Sequence, residues 1–447
     1  MSTLTIAIVV VFVIGYACIA LESVTKVNKA AVALLMFVAC WALYMVDPAS
    51  YLPGTAAAEI LSKVNSIIEA HLGSTSTTLF FLMGAMTIVE IVDQNGGFNF
   101  VRKALHTESK RALLWKISFM AFFLSAILDN MTTTIVMIMV LRKLVADHND
   151  RLIYASLVVI AANAGGAFSP IGDVTTIMLW NKSLITSAGV IKEIFIPSVI
   201  AIVVPAIILQ FSLHGKLAAA GGPAVNSESN AFTDRERKVI FFLGVGGLIF
   251  VPIFRYLTNL PPFVGILLVL ALLWVTTELF YRHLRGKEEK GAMNKRVSNV
   301  LSKIDMSTIL FFLGILMAVS CLEEVGVLGA VGKWLNQVSS GNHYIVTGTI
   351  GVISSIVDNV PLVAGCMGMY PLAATGDFAV DGIFWQLLAY CAGVGGSMLI
   401  IGSAAGVVAM GLEKISFGWY MKHISWIAFL GYIAGIFSYF LLRTFIF

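Results

Sequence analysis

The chain has 447 residues, of which 58% are hydrophobic and 12% are charged, and its mean hydropathy is +0.91. These values lie outside the range of soluble domains, because only a lipid bilayer solvates so much apolar surface. The formal net charge of +4 comes mostly from basic residues between the apolar runs, a pattern typical of cytoplasmic loops, so nucleic acid is not an expected partner.

Eight apolar runs have the length of ordinary transmembrane helices, about 17–25 residues. They lie at 4–21, 30–46, 77–92, 191–213, 239–254, 261–281, 306–322 and 423–442. The segment 56–72 mixes Glu59, Lys63 and Glu69 with aliphatic residues. This mixture fits an amphipathic helix at the membrane interface on the external side and, equally well, a surface loop.

Two further regions are apolar arms that a polar pair interrupts. Asp129-Asn130 divides 113–144, and Asp358-Asn359 divides 344–372, so each region is either a kinked helix or a re-entrant hairpin. An interrupted span follows each of them, at 152–179 around Asn163-Ala164-Gly165-Gly166 and at 384–412 around Gly393-Val394-Gly395-Gly396. These four elements predict irregular backbone at membrane depth.

The distribution of basic residues predicts the orientation of the chain. Clusters of Lys and Arg occur at 26–29, 102–111, 235–238 and 282–303, whereas the connections 47–76 and 186–191 carry few. All clusters face the cytoplasm if both interrupted arms return to the side they came from. This orientation therefore favours hairpins over kinked helices and gives ten spans plus two hairpins.

Three motifs recur in the same order about 230 residues later. Leu79-Phe80-Phe81-Leu82 recurs at 310–313. The stretch 125–130, which ends in Asp129-Asn130, recurs at 354–359, and Gly165-Gly166 followed by Gly172 recurs at 395–402. An odd number of spans in each copy inverts the second copy in the membrane. The expected fold is all-α, with two inverted repeats that each contain five transmembrane helices and one re-entrant hairpin, and with broken helices at the midplane.

The repeat pattern also predicts the domain limits. The first repeat covers 1–214, with its hairpin at about 113–146 and its broken helix at about 152–180. A cytoplasmic linker covers 215–236. The second repeat covers 237–447, with its hairpin at about 344–372 and its broken helix at about 384–412.

Three carboxylates are predicted to lie within the membrane, where an ionisable group costs a few kcal/mol or more and so indicates a function. Asp129 and Asp358 stand at the arm breaks, and Asp173 follows the first Gly-Gly pair. With the neighbouring Asn130 and Asn359 they offer oxygen ligands for a hard cation such as Na⁺ or Li⁺. The alternative is that each aspartate only caps the helix that follows it.

Asp173 aligns with Ser403 in the second copy, so the first copy has one extra carboxylate. A desolvated carboxylate of this kind can exchange a proton against a cation. Other polar residues at the breaks are supporting ligands or, alternatively, partners for broken-helix backbone groups. They are Thr132, Thr133, Thr134, Asn163, Ser169, Thr175, Thr176, Ser397 and Ser403. Glu323 and Glu324, at the end of a span, are interpreted as interface charges.

Other functional classes find little support. No Gly-x-x-x-x-Gly-Lys-Ser/Thr motif is present, so the energy for transport is expected to come from a gradient and not from a nucleotide. An intramembrane hydrolase would need a base or metal beside a nucleophile, and no His lies beside these aspartates in the sequence. The chain is therefore expected to be a secondary transporter without a cofactor. A channel of similar architecture would be distinguished by ion conductance without proton coupling.

The motifs resemble those of the NhaD-type sodium/proton antiporters of the ion transporter superfamily, which also contains arsenite-efflux and dicarboxylate carriers. Three stretches carry this resemblance: Leu-Asp-Asn-Met-Thr-Thr-Thr at 128–134, Asn-Ala-Gly-Gly-Ala-Phe-Ser-Pro-Ile-Gly-Asp-Val-Thr-Thr at 163–176, and Val-Asp-Asn-Val-Pro at 357–361. The second glycine stretch departs from the first at Gly402-Ser403-Ala404-Ala405, which leaves the second-copy ligands beyond Asp358 and Asn359 open.

The resemblance implies a homodimer in a bacterial inner membrane, with a rigid scaffold and a transport domain that moves like an elevator. It also implies export of Na⁺ or Li⁺ against proton entry, with Asp129, Asn130, Asp173, Asp358 and Asn359 as cation and proton ligands. The main alternative is a carrier of dicarboxylate or arsenite with the same architecture. Against that alternative, the arm breaks carry carboxylates and no neighbouring Lys or Arg.

Overall fold

The computed structural model describes residues 2–20, 27–95, 105, 107–217, 232–283, 300–302, 304–356 and 359–446. These residues form helices, and no β-strand occurs among them; one isolated antiparallel bridge joins Ser109 to Lys216. The centre of the predicted linker, at 218–231, lies outside the described residues.

The first half contains α1 (Thr3–Ala20), α2 (Lys29–Tyr44), α3 (Ile60–Gln94), α4 (Lys110–Ser125), α5 (Asn130–Leu144), α6 (His148–Ala167), α7 (Val174–Asn181) and α8 (Ser187–Leu209). The second half contains α9 (Asp234–Thr258), α10 (Pro262–His283), α11 (Met306–Glu324), α12 (Val327–Val338), α13 (His343–Ser354), α14 (Asn359–Met369), α15 (Ile383–Gly395), α16 (Ala404–Glu413), the single turn α17 (Phe417–Tyr420) and α18 (Trp426–Phe445). A π-helical turn, Met421–Ser425, joins the last two.

Each of the eight predicted ordinary spans coincides with a described helix. Within the described ranges, six helices are individually long and apolar enough to cross a bilayer, and seven others are apolar but shorter. The shorter group includes α5, α13 and α14, three of the four arms beside the predicted breaks, as expected for helices that end inside the membrane. The chain is therefore a multi-pass membrane protein.

The structure differs from the expectation at three places. The predicted interfacial segment 56–72 and the next span form one 35-residue helix, α3, because hydroxyls such as that of Thr77 donate to the helix's own carbonyl oxygens and do not interrupt it. The interruption of the predicted span 152–179 lies at 168–173 and not at Gly165-Gly166, since α6 continues to Ala167. The helix α12 was not predicted.

The helices pack as two bundles. One contains α1, α2, α3, α9, α10 and α11, and the other contains α4–α8 together with α13–α18. The bundles meet chiefly where α7 contacts α3 and where α14 contacts α11, and α12 packs against both α11 and α14. The two helices that begin at predicted site residues, α7 and α14, therefore lie at the boundary between the bundles.

Candidate functional site

Asp129 occupies the N-cap position of α5, at the first predicted break. Its Oδ1 atom accepts a hydrogen bond from the Thr132 backbone N–H at 2.7 Å, and its Oδ2 atom accepts one from the Thr132 hydroxyl at 2.7 Å. The capping role considered for this aspartate is thus confirmed. Each capping hydrogen bond uses one lone pair of a carboxylate oxygen, so the Asp129 carboxylate can still offer a ligand oxygen while it caps.

Asp173 occupies the same position at the start of α7 and is only 1% exposed. Its Oδ1 atom accepts a hydrogen bond from the Thr175 backbone N–H at 3.2 Å. The Asn359 carboxamide, on the first residue of α14, donates to its two carboxylate oxygens over 3.5 and 3.4 Å. Asp173 therefore joins a broken helix of the first half to an arm of the second half.

A second link joins the halves, this time between an arm of the first half and the broken helix of the second half. Asn130, the first residue of α5, donates from Nδ2 to Asn163 Oδ1 at 3.0 Å, and Asn163 Nδ2 donates to the Ser403 hydroxyl at 2.9 Å. Ser403 is the N-cap of α16 and accepts from the Gly406 backbone N–H. All three side chains are buried. The N-termini of α5 and α16 are thereby joined through α6.

The neighbouring hydroxyls fall into two groups. Those of Thr134 and Thr176 donate to backbone carbonyls of Asn130 and Ala167, at 2.8 and 3.3 Å, and so complete the broken helices. Those of Thr133 and Thr175 are completely buried and have no hydrogen-bond partner in the described structure. Buried hydroxyls are rarely left without partners, so these two oxygens are available to a bound cation.

Ser169 and Ser397 have structural partners. The Ser169 hydroxyl donates to the Ala126 carbonyl oxygen at 2.5 Å, and the Ser397 hydroxyl donates to the Val394 carbonyl oxygen at 2.6 Å. Both hydroxyls satisfy backbone groups at the breaks, which is the alternative that the sequence left open for them.

Asp358 lies outside the described residues, although Asn359, which follows it, is described. Among the described residues no cluster of three or more His, Cys, Asp or Glu side chains is arranged to hold a metal ion. The donors gathered at the four helix N-termini are carboxylate, carboxamide and hydroxyl oxygens. Oxygen donors of this kind suit a hard cation better than a transition metal.

The helix breaks in the two halves rest on the same type of contact. In each half, two glycines lie directly against backbone carbonyl oxygens of the preceding arm, where a Cβ atom would overlap the carbonyl. The pairs are Gly165 with Phe122, Gly395 with Gly351, Gly172 with Ser125, and Gly402 with Ser355. The predicted Gly-Gly breaks are therefore sites of close helix packing.

One charged cluster was missed by the sequence reasoning. Glu413, at the end of α16, is 2% exposed and accepts from Arg142 Nε at 2.7 Å and from Arg151 Nε at 3.1 Å. His148 Nδ1 lies 3.7 Å from the same carboxylate. The only sequence feature that could have indicated this cluster is a single glutamate at the end of an apolar helix. The cluster ties the ends of α5 and α16 that lie farthest from the site.

A polytopic bundle with interrupted helices, whose N-termini meet around buried carboxylate and amide groups, defines a membrane transporter and not an enzyme. Residues 16–387 match the citrate transporter family model, CitMHS. The chain belongs to this family, and its relatives include the NhaD-type antiporters.

Several curated proteins are similar over nearly the whole chain. "Sodium/proton antiporter 1" of Arabidopsis thaliana is 44% identical over 436 residues, which cover 97% of this chain and 72% of the relative. "Sodium/proton antiporter 2" of the same plant is 41% identical, covering 97% and 99%. "Na(+)/H(+) antiporter NhaD" of Vibrio cholerae serotype O1 is 30% identical, covering 99% and 92%.

Among solved structures, the Alcanivorax borkumensis YdaH transporter has a similar fold. The TM-score is 0.59 with 12% sequence identity, and the match covers 92% of this chain and 98% of that one. The match supports the fold.

Proposed function

We propose that the protein is a secondary active antiporter that exchanges cytoplasmic Na⁺ or Li⁺ for external H⁺. The observation that carries this proposal is the carboxylate of Asp173, which lies buried between α7 and the Asn359 carboxamide, beside the buried Thr175 hydroxyl. Named sodium/proton antiporters at 44% and 41% identity support the same activity.

The coupling follows from competition for the same oxygens. A carboxylate site that binds either a cation or protons is loaded with one or the other, and alternating access then carries them in opposite directions. Asp129, Asp173 and Asp358 are the proposed competing groups, with Asn130 and Asn359 as neutral ligands. Thr133 and Thr175 add hydroxyl oxygens.

The proposal includes the inverted-repeat architecture, with repeats at 1–214 and 237–447 and hairpins formed by α4–α5 and α13–α14. The glycine contacts that recur about 230 residues apart support it, as do the two crossed links from Asn163 to Ser403 and from Asn359 to Asp173. Equivalent half-helices that meet at one place are expected at the midplane of such transporters.

The two bundles support an elevator mechanism. The bundle of α1–α3 and α9–α11 would be the scaffold, and the bundle that contains the site would move against it along α7 and α14. We extend the proposal to a homodimer in a bacterial inner membrane, as the family resemblance implies. Relatives occur in a plant as well as in bacteria, so the required property is a membrane with a proton gradient.

The name of the family model raises a second candidate, a carrier of citrate or a related anion. Helix N-termini such as those of α5 and α7 attract anions. However, aspartates already occupy both caps, and the sequence has no Lys or Arg at 121–141, 152–181 or 344–413 to balance a bound anion. The cation exchanger is therefore favoured.

The test is a substrate screen in everted vesicles that lack other antiporters and are energised to an acidic interior. The proposal predicts that Na⁺ or Li⁺ dissipates the proton gradient and that Asp173→Asn abolishes the response. Asp147→Asn is the matched control, because Asp147 caps α6 in the same way but is exposed. Uptake of citrate, with no response to Na⁺ or Li⁺, would instead establish the anion carrier.

A further inference from the structure

A polar cavity of about 240 Å³ lies between the two bundles. One wall is formed by α3 and α11, and the other by the C-terminal ends of α7 and α14. Hydroxyl groups line much of it, including those of Ser74, Thr77 and Ser320. A polar cavity between apolar helices is a place where water and ions can enter the membrane protein.

The inner end of this cavity approaches the candidate site. Met178 on α7 and Ala364 on α14 both line it, and each lies five positions after a site residue, Asp173 and Asn359 respectively. At 1.5 Å per residue, five positions correspond to about 7.5 Å along either helix. The cavity therefore ends about one and a half helical turns from the two linked side chains.

Two opposite charges face the cavity from its two walls. Glu323 projects from α11 and packs over Gly368 of α14, and Lys182 follows the end of α7. In the part of the chain that the structure describes, neither side chain has an ion-pair partner. The adjacent Glu324 is different, because His71 contacts its carboxylate at 2.8 Å.

The wall also presents an acceptor oxygen without a partner. Asn181 donates from Nδ2 to the Thr78 hydroxyl at 3.3 Å, and its Oδ1 atom is buried and accepts no hydrogen bond from any described residue. Asn181 and Thr78 both line the cavity. This oxygen could bind a passing cation, whereas its partial negative charge would repel an anion.

We infer that this cavity is the access vestibule for the transported cation, and that Glu323 and Lys182 set the apparent cation affinity with opposite signs. The inference rests on the proposed cation transport. A narrow cleft with low-dielectric walls focuses the field of the charges that line it. Glu323 thus raises the local cation concentration, and Lys182 lowers it, without either residue belonging to the binding site.

The transport test runs the exchange in the direction of Na⁺ uptake, with Na⁺ added on the face where α3 begins, which is the non-cytoplasmic face in the predicted orientation. It compares the Na⁺ concentration for half-maximal rate in three variants at about 10 mM ionic strength. Glu323→Gln should raise this concentration about two- to fivefold and Lys182→Gln should lower it by a similar factor, with maximal rates unchanged. Both effects should shrink at about 150 mM ionic strength, because salt screens the charges. Glu69→Gln is the matched control, since Glu69 is exposed near the same end of α3 but does not line the cavity.

A second measurement does not depend on sodium transport. A cysteine at Thr77, or at Ser74 if the first variant does not fold, is reacted with a cationic and an anionic thiosulfonate reagent, and the parent chain supplies the background. The ratio of cationic to anionic rates should fall in Glu323→Gln, rise in Lys182→Gln and stay constant in Glu69→Gln.

The two measurements separate the two proposals. If Na⁺ drives no exchange but the reagent ratio shifts as expected, the charged vestibule stands and the sodium assignment fails. If both cysteines are unreactive, or if the ratio is the same in all variants, the cavity is not an electrostatically tuned access path and the inference is overturned.

Discussion

The Asn163 carboxamide donates a 2.9 Å hydrogen bond to the Ser403 hydroxyl, although the two residues are 240 positions apart in the chain. Asn163 also accepts from Asn130, so one buried side chain holds the start of α5 against the start of α16. Buried polar links of this kind position the groups that bind a substrate.

Asn163→Ala should disrupt the site without preventing membrane insertion. The change leaves the Asn130 amide without its acceptor, at a cost of about 1–3 kcal/mol in stability. Loss of such a supporting residue typically lowers ion affinity about 10–100-fold. The half-maximal Na⁺ concentration in proteoliposomes measures the effect, with the exposed Asn149→Ala as control. Equal values for the two variants would show that the link does not support the site.

The apparent Na⁺ affinity should depend on pH in a defined direction. If one proton and one cation compete for a carboxylate, the half-maximal Na⁺ concentration rises about tenfold for each pH unit below the pKa of the site and levels off above it. Rates measured from pH 6 to pH 9 at several Na⁺ concentrations would show this. An effect of pH on the maximal rate alone would contradict competition at the site.

The two glycine pairs should respond alike to substitution. Gly165→Ala and Gly395→Ala each place a Cβ atom against a backbone carbonyl oxygen that cannot move independently of its helix. Each change should lower the unfolding temperature in detergent, through overpacking of about 1–3 kcal/mol or more. Gly411→Ala is the control, because no neighbouring heavy atom lies within 4 Å of the place that its Cβ atom would take. A tolerated Gly395→Ala beside a damaging Gly165→Ala would argue against equivalent halves.

The cluster around Glu413 predicts an asymmetric result. Arg151→Met removes a partner from the buried Glu413 carboxylate, whereas Glu413→Gln leaves Arg142, whose side chain is 47% exposed, able to reach water. Arg151→Met should therefore lower the free energy of unfolding by about 1–3 kcal/mol relative to the parent chain. Glu413→Gln should lower it by less. Thermal unfolding in detergent measures this, with the exposed Arg235→Met as control. A more damaging Glu413→Gln would mean that the carboxylate is not the buried partner that needs compensation.

Local features of the site were predictable from the sequence because they involve neighbouring residues. Asp129 and Asp173 stand before helices, and an aspartate in that position both caps and supplies charge. The breaks followed from polar and glycine pairs inside apolar runs. The exact end of α6 did not, because Gly165 and Gly166 can end a helix or pack closely against another, and only the carbonyl of Phe122 decides between the two.

Contacts between the halves could not be read from the sequence. Glu413 and Arg142 are 271 positions apart, and Asn359 and Asp173 are 186 positions apart. The repeat predicted that equivalent helix ends meet, but it gave no pairing of side chains. The continuous helix α3 escaped prediction for another reason, since its hydrophilic turns are stabilised within the helix and by contact with α11.

Equilibrium binding of radioactive Na⁺ to purified protein at two pH values tests the central claim most directly. The account predicts that the parent chain and Asp147→Asn bind Na⁺ more weakly at the lower pH, and that Asp173→Asn, which keeps the helix cap but lacks the charge, does not bind Na⁺ at either pH. Parent-like, pH-sensitive binding by Asp173→Asn would contradict the claim that this buried carboxylate holds the cation or the proton.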